Sequence, residues 1–167
     1  MLRDAPDDAN ALILQGRLLT SMARYTEAET SFSQAIAACE PDAVYTVHRE
    51  LGELYEASGQ FEQAIVEHRK VIALRPEHAA GYVAVGALLF KMGRLDEALA
   101  QQARAAECTE GAVEEAHYQL GLLHRARERF EDAKASFERA LALLPSHVEA
   151  RRALLDVVTA LRGEAGS

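Results

Sequence analysis

Four glycine–alanine pairs, each twelve residues apart, recur along this chain: Gly16 with Ala28, Gly52 with Ala64, Gly86 with Ala98 and Gly121 with Ala133. The glycines follow one another at 36, 34 and 35 residues, so the length inside each unit is constant and the slack falls between units. A period of this size restricts the chain to copies of one supersecondary unit, each packed against its neighbours.

The residues around the anchors say what the unit is. An aromatic or Leu stands three before each Ala (Tyr25, Phe61, Leu95, Phe130). Apolar residues follow it at helical offsets: Phe32, Ala35 and Ile36; Val71 and Ile72; Ala105 and Ala106; Phe137, Ala140 and Leu141. Around the glycines the same period reappears in His48, Leu51, Gly52 and Tyr55, in Tyr82, Val85, Gly86 and Leu89, and in His117, Leu120, Gly121 and His124. Offsets of three, four and seven define one face of a helix, so each unit holds two amphipathic helices. Pro41, Pro76 and Pro145 close units one, two and four, where a missing N–H and a fixed φ end one helix and begin the next. Gly59 and Gly93 mark the turn inside units two and three, which a left-handed cap favours. The acids opening the second helices (Glu27, Glu62, Asp96, Glu97, Glu131, Asp132) complement the helix dipole.

Four copies of this pattern resemble the tetratricopeptide repeat family, whose unit carries a Leu-Gly pair, an aromatic, a central Ala, a second aromatic and a final Pro. The units run over residues 9–42, 45–78, 79–112 and 114–147. The family's leading Trp is replaced by Leu12, His48, Tyr82 and His117, and the second aromatic by His68 and Gln102 in units two and three. The resemblance implies an all-α fold: a right-handed superhelical solenoid of antiparallel helix pairs, four repeats plus a C-terminal capping helix.

Composition agrees with helices and narrows the partners. Hydrophobic residues make up 49% of the 167 residues while aromatics are 6% and Trp is absent, so Ala and Leu supply most of the packing. A net charge of −8 opposes a phosphate-tracking surface and excludes nucleic acid as the expected partner. The longest stretch without a charged residue, residues 79–90, is too short for a membrane span of roughly 20 residues. With no signal-peptide pattern at the N-terminus, the expected location is cytoplasmic. Cys39 and Cys108 are isolated from each other and from metal-spaced His, and read as small buried or half-buried residues.

Outside the repeats, residues 148–162 repeat the first-helix pattern with Leu155 in place of the signature Gly, which predicts a capping helix. Residues 163–167 read as a disordered tail. Pro6 stands before Ala9 as Pro76 and Pro145 stand before the units that follow them, and Leu2 matches Ile72 and Leu141. Residues 1–8 are therefore expected to be the stump of an earlier hairpin in a longer protein.

The helix that carries the uncharged stretch at residues 79–90 locates the binding surface. Tyr82, Val85, Gly86 and Leu89 form its core face, whereas Ala80, Val83, Ala87 and Phe90 lie opposite. In the resembled family that second face lines the concave groove that grips partner segments. Carried along the repeats, the expected peptide-binding residues are Ile13, Arg17, Arg49 and Glu53, then Val83, Ala87, Phe90 and Lys91, then Tyr118, Leu122 and Arg125. The first two units present charge, and the last two an apolar patch of the kind that usually binds something. Three covers satisfy such a patch: a partner peptide or helix with apolar anchors, neighbouring helices of the same chain, or a second copy in a homo-oligomer. Arg17 and Arg49 are expected to read acidic residues of the partner. The family's Lys/Asn clamp for a chaperone-tail carboxylate is absent, since Ile13, Arg17, Glu50, Ala80 and Ala84, or Arg49, Glu53, Ala84, Glu115 and Gln119, stand at its places.

No catalytic, cofactor or metal motif accompanies the repeats. Glu114 and His117 form one Glu-x-x-His pair where a di-iron bundle needs two, and His117 shares its core-facing register with His48. The chain is expected to be a protein–protein interaction scaffold and not an enzyme. A self-assembly module and the targeting arm of a larger enzyme stand as alternatives.

Overall fold

The computed structural model describes residues 6–164, and among these every regular element is helical. Two compact units divide the chain, Met1–Arg75 and Pro76–Ser167. The first holds α1 (Pro6–Ser21), α2 (Tyr25–Ala38), a 3-10 turn at Pro41–Ala43, α3 (Val44–Ala57) and α4 (Phe61–Leu74). The second holds α5 (Ala79–Lys91), α6 (Leu95–Ala106), α7 (Val113–Ala126), α8 (Phe130–Leu143) and α9 (Val148–Glu164). The pairs α1–α2, α3–α4, α5–α6 and α7–α8 are hairpins, as the repeat predicts.

The glycines have a steric reason. A Cβ on Gly16 would lie 2.6 Å from the Phe32 ring, on Gly52 2.5 Å from the His68 ring, on Gly86 2.5 Å from the Gln102 amide and on Gly121 2.3 Å from the Phe137 ring. Each first helix thus offers a socket, and the second helix fills it with the side chain one turn beyond the central Ala. Those alanines, Ala28, Ala64, Ala98 and Ala133, have no exposed surface, because the backbones approach too closely for anything larger.

All four hairpins turn through a left-handed residue. Gly59 (φ 77°) and Gly93 (φ 75°) supply it in the second and third, and Ala23 (φ 58°) and Glu128 (φ 59°) in the first and fourth. The third unit, which has no closing proline, uses Gly111 (φ 84°) instead. There the loop after α6 pairs with the segment before α5: Ala79 N–H donates to the Glu110 carbonyl at 2.8 Å and Glu110 N–H to the Glu77 carbonyl at 3.3 Å. His78 then caps α5, its Nδ1 accepting the Ala80 N–H.

Inside the first unit, Leu19, Phe32 and Ala35 pack against Val47, Leu51 and Leu54. Inside the second, Ala133 and Phe137 of α8 pack against Ala153 and Val157 of α9, burying Phe137 completely at a gain of about 2–3 kcal/mol. Helix α9 is therefore a cover for the α7–α8 hairpin, and it runs through Glu164. Gly163 is helical, while residues 165–167 of the expected tail lie outside the described residues. Of the segment read as a stump, residues 6–8 form the first turn of α1 and residues 1–5 lie outside the described residues.

Candidate functional site

In the first unit the expected groove residues are bound up in an ion network that the repeat pattern does not announce. Glu50, only 3% exposed, accepts from Arg17 Nε at 2.8 Å and from Arg49 Nη2 at 2.6 Å. Arg49 Nη1 also donates to Glu53 at 3.1 Å. The Glu50 carboxylate pushes the Arg17 guanidinium up, and Glu53 is pushed up by burial first and by neighbouring Glu50 second. Both arginines thus already hold an internal carboxylate, and the two acids balance the two bases. Arg17 and Arg49 nonetheless keep 52% and 38% of their side-chain surface in water. Residue spacing carries no signal for this network, since Glu50 shares its register with Leu14, which is 62% exposed, and with half-buried Ala84 and Gln119. Thr20, Ser21 and Phe32 complete the hollow around this network. Ile13 is half-buried and lines, with Asn10, Cys39 and Thr46, a cavity of about 150 Å³.

The second unit carries the apolar part. Phe90 is 38% exposed at the C-terminal end of α5, Val83 and Ala87 behind it are half-buried, and Lys91 is exposed. The Val83 carbonyl also receives a hydrogen bond from Gln102 Nε2 of α6 at 3.1 Å, which ties the back of α5 to its partner helix. Tyr118 and Leu122 are half-buried, packed on the core that α8 and α9 form. The Tyr118 ring lies 5.9 Å from Phe137 and 4.8 Å from His147, and burial pushes its hydroxyl up. Arg125 sits 3.9 Å from Asp156 of α9. The apolar face is therefore graded, with Phe90 open and Tyr118 and Leu122 partly covered by neighbouring helices.

The polar core residues are placed as packing groups. His48 is half-buried, its Nδ1 2.7 Å from Glu67, and burial lowers the affinity of His68, His117 and His124 for a proton. Cys39 and Cys108 are free and half-buried, with thiols pushed up by burial. Among the described residues no group of three or more His, Cys, Asp or Glu is arranged to hold a metal ion. Among the described residues no helix is long and apolar enough to cross a membrane.

Family models described as tetratricopeptide repeat match residues 9–42, 49–113 and 114–147. The chain is 30% identical over 156 residues to the human protein O-mannosyl-transferase TMTC3, an alignment that takes 85% of this chain and 17% of that protein; it spans about a sixth of this curated relative's length. Among solved structures it is similar to a tetratricopeptide repeat protein from Parabacteroides merdae, at TM-score 0.76 and 20% identity, over 95% of this chain and 62% of the other. It is also similar to YrrB, described as a tetratricopeptide protein with an unusual peptide-binding site, at TM-score 0.65 and 26% identity, over 87% of this chain and 73% of the other.

Proposed function

Because the chain belongs to the tetratricopeptide repeat family, an all-α fold of protein–protein interaction scaffolds, we propose that its second unit holds a partner peptide or helix on the face of α5 and α7. Phe90 carries the reading: a large aromatic left in water at the end of α5, whose residues from Ala79 to Phe90 bear no charge. Val83, Ala87, Tyr118 and Leu122 extend the apolar surface, and Lys91 and Arg125 rim it. Such a face suits an apolar anchor from an extended or helical segment, with burial of that anchor supplying most of the affinity. The peptide-binding site named for YrrB supports the same use of the fold in this chain. The reading gives the chain no reaction and no cofactor of its own.

The test is capture of partners by the immobilised chain, followed by mass spectrometry and titration of a peptide from the captured protein. Phe90→Asp leaves helix content unchanged because the ring is exposed, and weakens the peptide at least tenfold, about 1.4 kcal/mol. Val66→Asp, at an exposed site on α4, serves as the control and leaves binding intact. Equal loss in both variants, or none in Phe90→Asp, removes the assignment. Tyr118 is a poorer probe, since an acid there disturbs its packing on Phe137 and His147.

A further inference from the structure

Two helices keep an apolar face uncovered, and the repeat register shows what each lacks. On α1, Leu14 and Leu18 are 62% and 61% exposed, and Met22, just past its end, is 55% exposed. Leu54, Leu88 and Leu123, which share the register of Leu18, are 1%, 1% and 2% exposed; Leu54 is sealed by the α1–α2 hairpin before it. On α9 the face toward α8 is buried through Ala150, Ala153 and Val157, whereas Val148 and Leu155 are 66% and 67% exposed. Val148, Arg151, Arg152, Leu154, Leu155 and Val158 line an apolar hollow there.

The two faces fit each other. Leu155 stands where the other first helices have a socket glycine, so α9 rejects a second helix with a large side chain at that point and accepts one with a gap. Ala11, Leu14, Gln15 and Leu18 have the i, i+3, i+4, i+7 spacing of a four-residue hole around a central knob, a gap that suits Leu155. Reciprocally, residues 148, 151, 152 and 155 and residues 151, 154, 155 and 158 make two adjacent holes, which suit the ridge of Leu18 and Leu14. This register runs the helices antiparallel, which opposes their dipoles. From Ala9 to Ser21, α1 carries one formal charge, Arg17, and that group is held by Glu50, so no cation of α1 opposes Arg151 and Arg152, whose stems line the hollow.

We propose that copies of this chain associate head to tail, the α1 face of one copy seated in the α9 hollow of the next. The contact is heterologous, so each copy that docks through one face leaves its other face open for a further copy. It is separate from the partner-binding face of α5 and α7. One helix against one helix makes a small interface, and the net charge of −8 opposes assembly, so the association is weak and strengthened by salt.

Sedimentation of the full chain tests this. The weight-average mass rises above the 18.3 kDa monomer by at least about twofold between roughly 10 and 500 µM, the range of a small interface. Leu18→Asp and Leu155→Asp, both at exposed sites and checked by circular dichroism, each stay monomeric alone. Mixed, they form a one-to-one dimer, because each supplies the face the other lost. Phe90→Asp associates like the parent chain. A parent chain that stays monomeric at the top concentration, a Leu155→Asp variant that still self-associates, a mixture that stays monomeric, or loss of association in Phe90→Asp each overturns the proposal.

Discussion

His68 and Gln102 fill sockets that Phe32 and Phe137 fill in the outer repeats, and each brings a buried polar atom without a partner: His68 Nε2 and Gln102 Oε1. An orphaned acceptor costs about 1–3 kcal/mol, more than the single Gln102 bond to Val83 returns, and the Val83 carbonyl keeps its place in the helix ladder. Gln102→Met, nearly isosteric, is expected to stabilise the protein by about 1 kcal/mol, read as a higher urea midpoint with an unchanged slope. His68 gives a pH signature. Burial holds its proton affinity in the fold below the ordinary 6.5, so on acidification the unfolded chain takes up the proton first. Its contribution is intact above pH 6.5 and is lost as pH falls below that value toward the folded pKa. His117 and His124 shift the same way. His68→Phe is therefore expected to reduce, without abolishing, the loss of stability between about pH 7.5 and 5, measured by urea titration at each pH. An unchanged pH slope would show that His68 is not desolvated.

At the level of elements, the hairpin turn and the α1–α3 contact each allow a forecast. Glu128 adopts φ 59° where two sister turns use Gly; a left-handed non-glycine costs roughly 1–2 kcal/mol. Glu128→Gly recovers part of this, raising stability by about 0.5–1 kcal/mol after the entropy of Gly is counted. The α1–α3 contact turns on which side of an ion pair is removed. Arg17 and Arg49 keep 52% and 38% of their side-chain surface in water, against 3% for Glu50. Replacing both arginines by Ala strands a buried carboxylate and is expected to be the costlier change. Glu50→Ala frees two cations that water can solvate, and is expected to cost about 1–2 kcal/mol. A double-mutant comparison of melting curves in which Glu50→Ala proves the costlier change would contradict the network as drawn.

For the molecule as a whole, the charge distribution sets how binding responds to salt. If the uncharged face of α5 supplies the affinity, raising NaCl from about 0.05 to 0.5 M changes peptide binding by no more than about twofold, since hydrophobic burial is not screened. A drop of tenfold or more places the contact on the first unit's arginines instead. The sequence by itself determined the helical class, the four hairpins, the socket glycines and the face of α5 that carries Phe90, because helical periodicity and a fixed repeat length are written in residue spacing. It paired each Gly with the Ala twelve residues on, yet the side chain that meets the glycine lies one turn further, a contact across helices that spacing along the chain does not show. Tertiary structure alone decided that Arg17 and Arg49 spend their charge on Glu50. It also decided that α8 and α9 partly cover Tyr118 and Leu122, and that Leu14, Leu18 and Leu155 stay in water. Each of these depends on which neighbour reaches a given face, and identical registers in successive helices receive different neighbours.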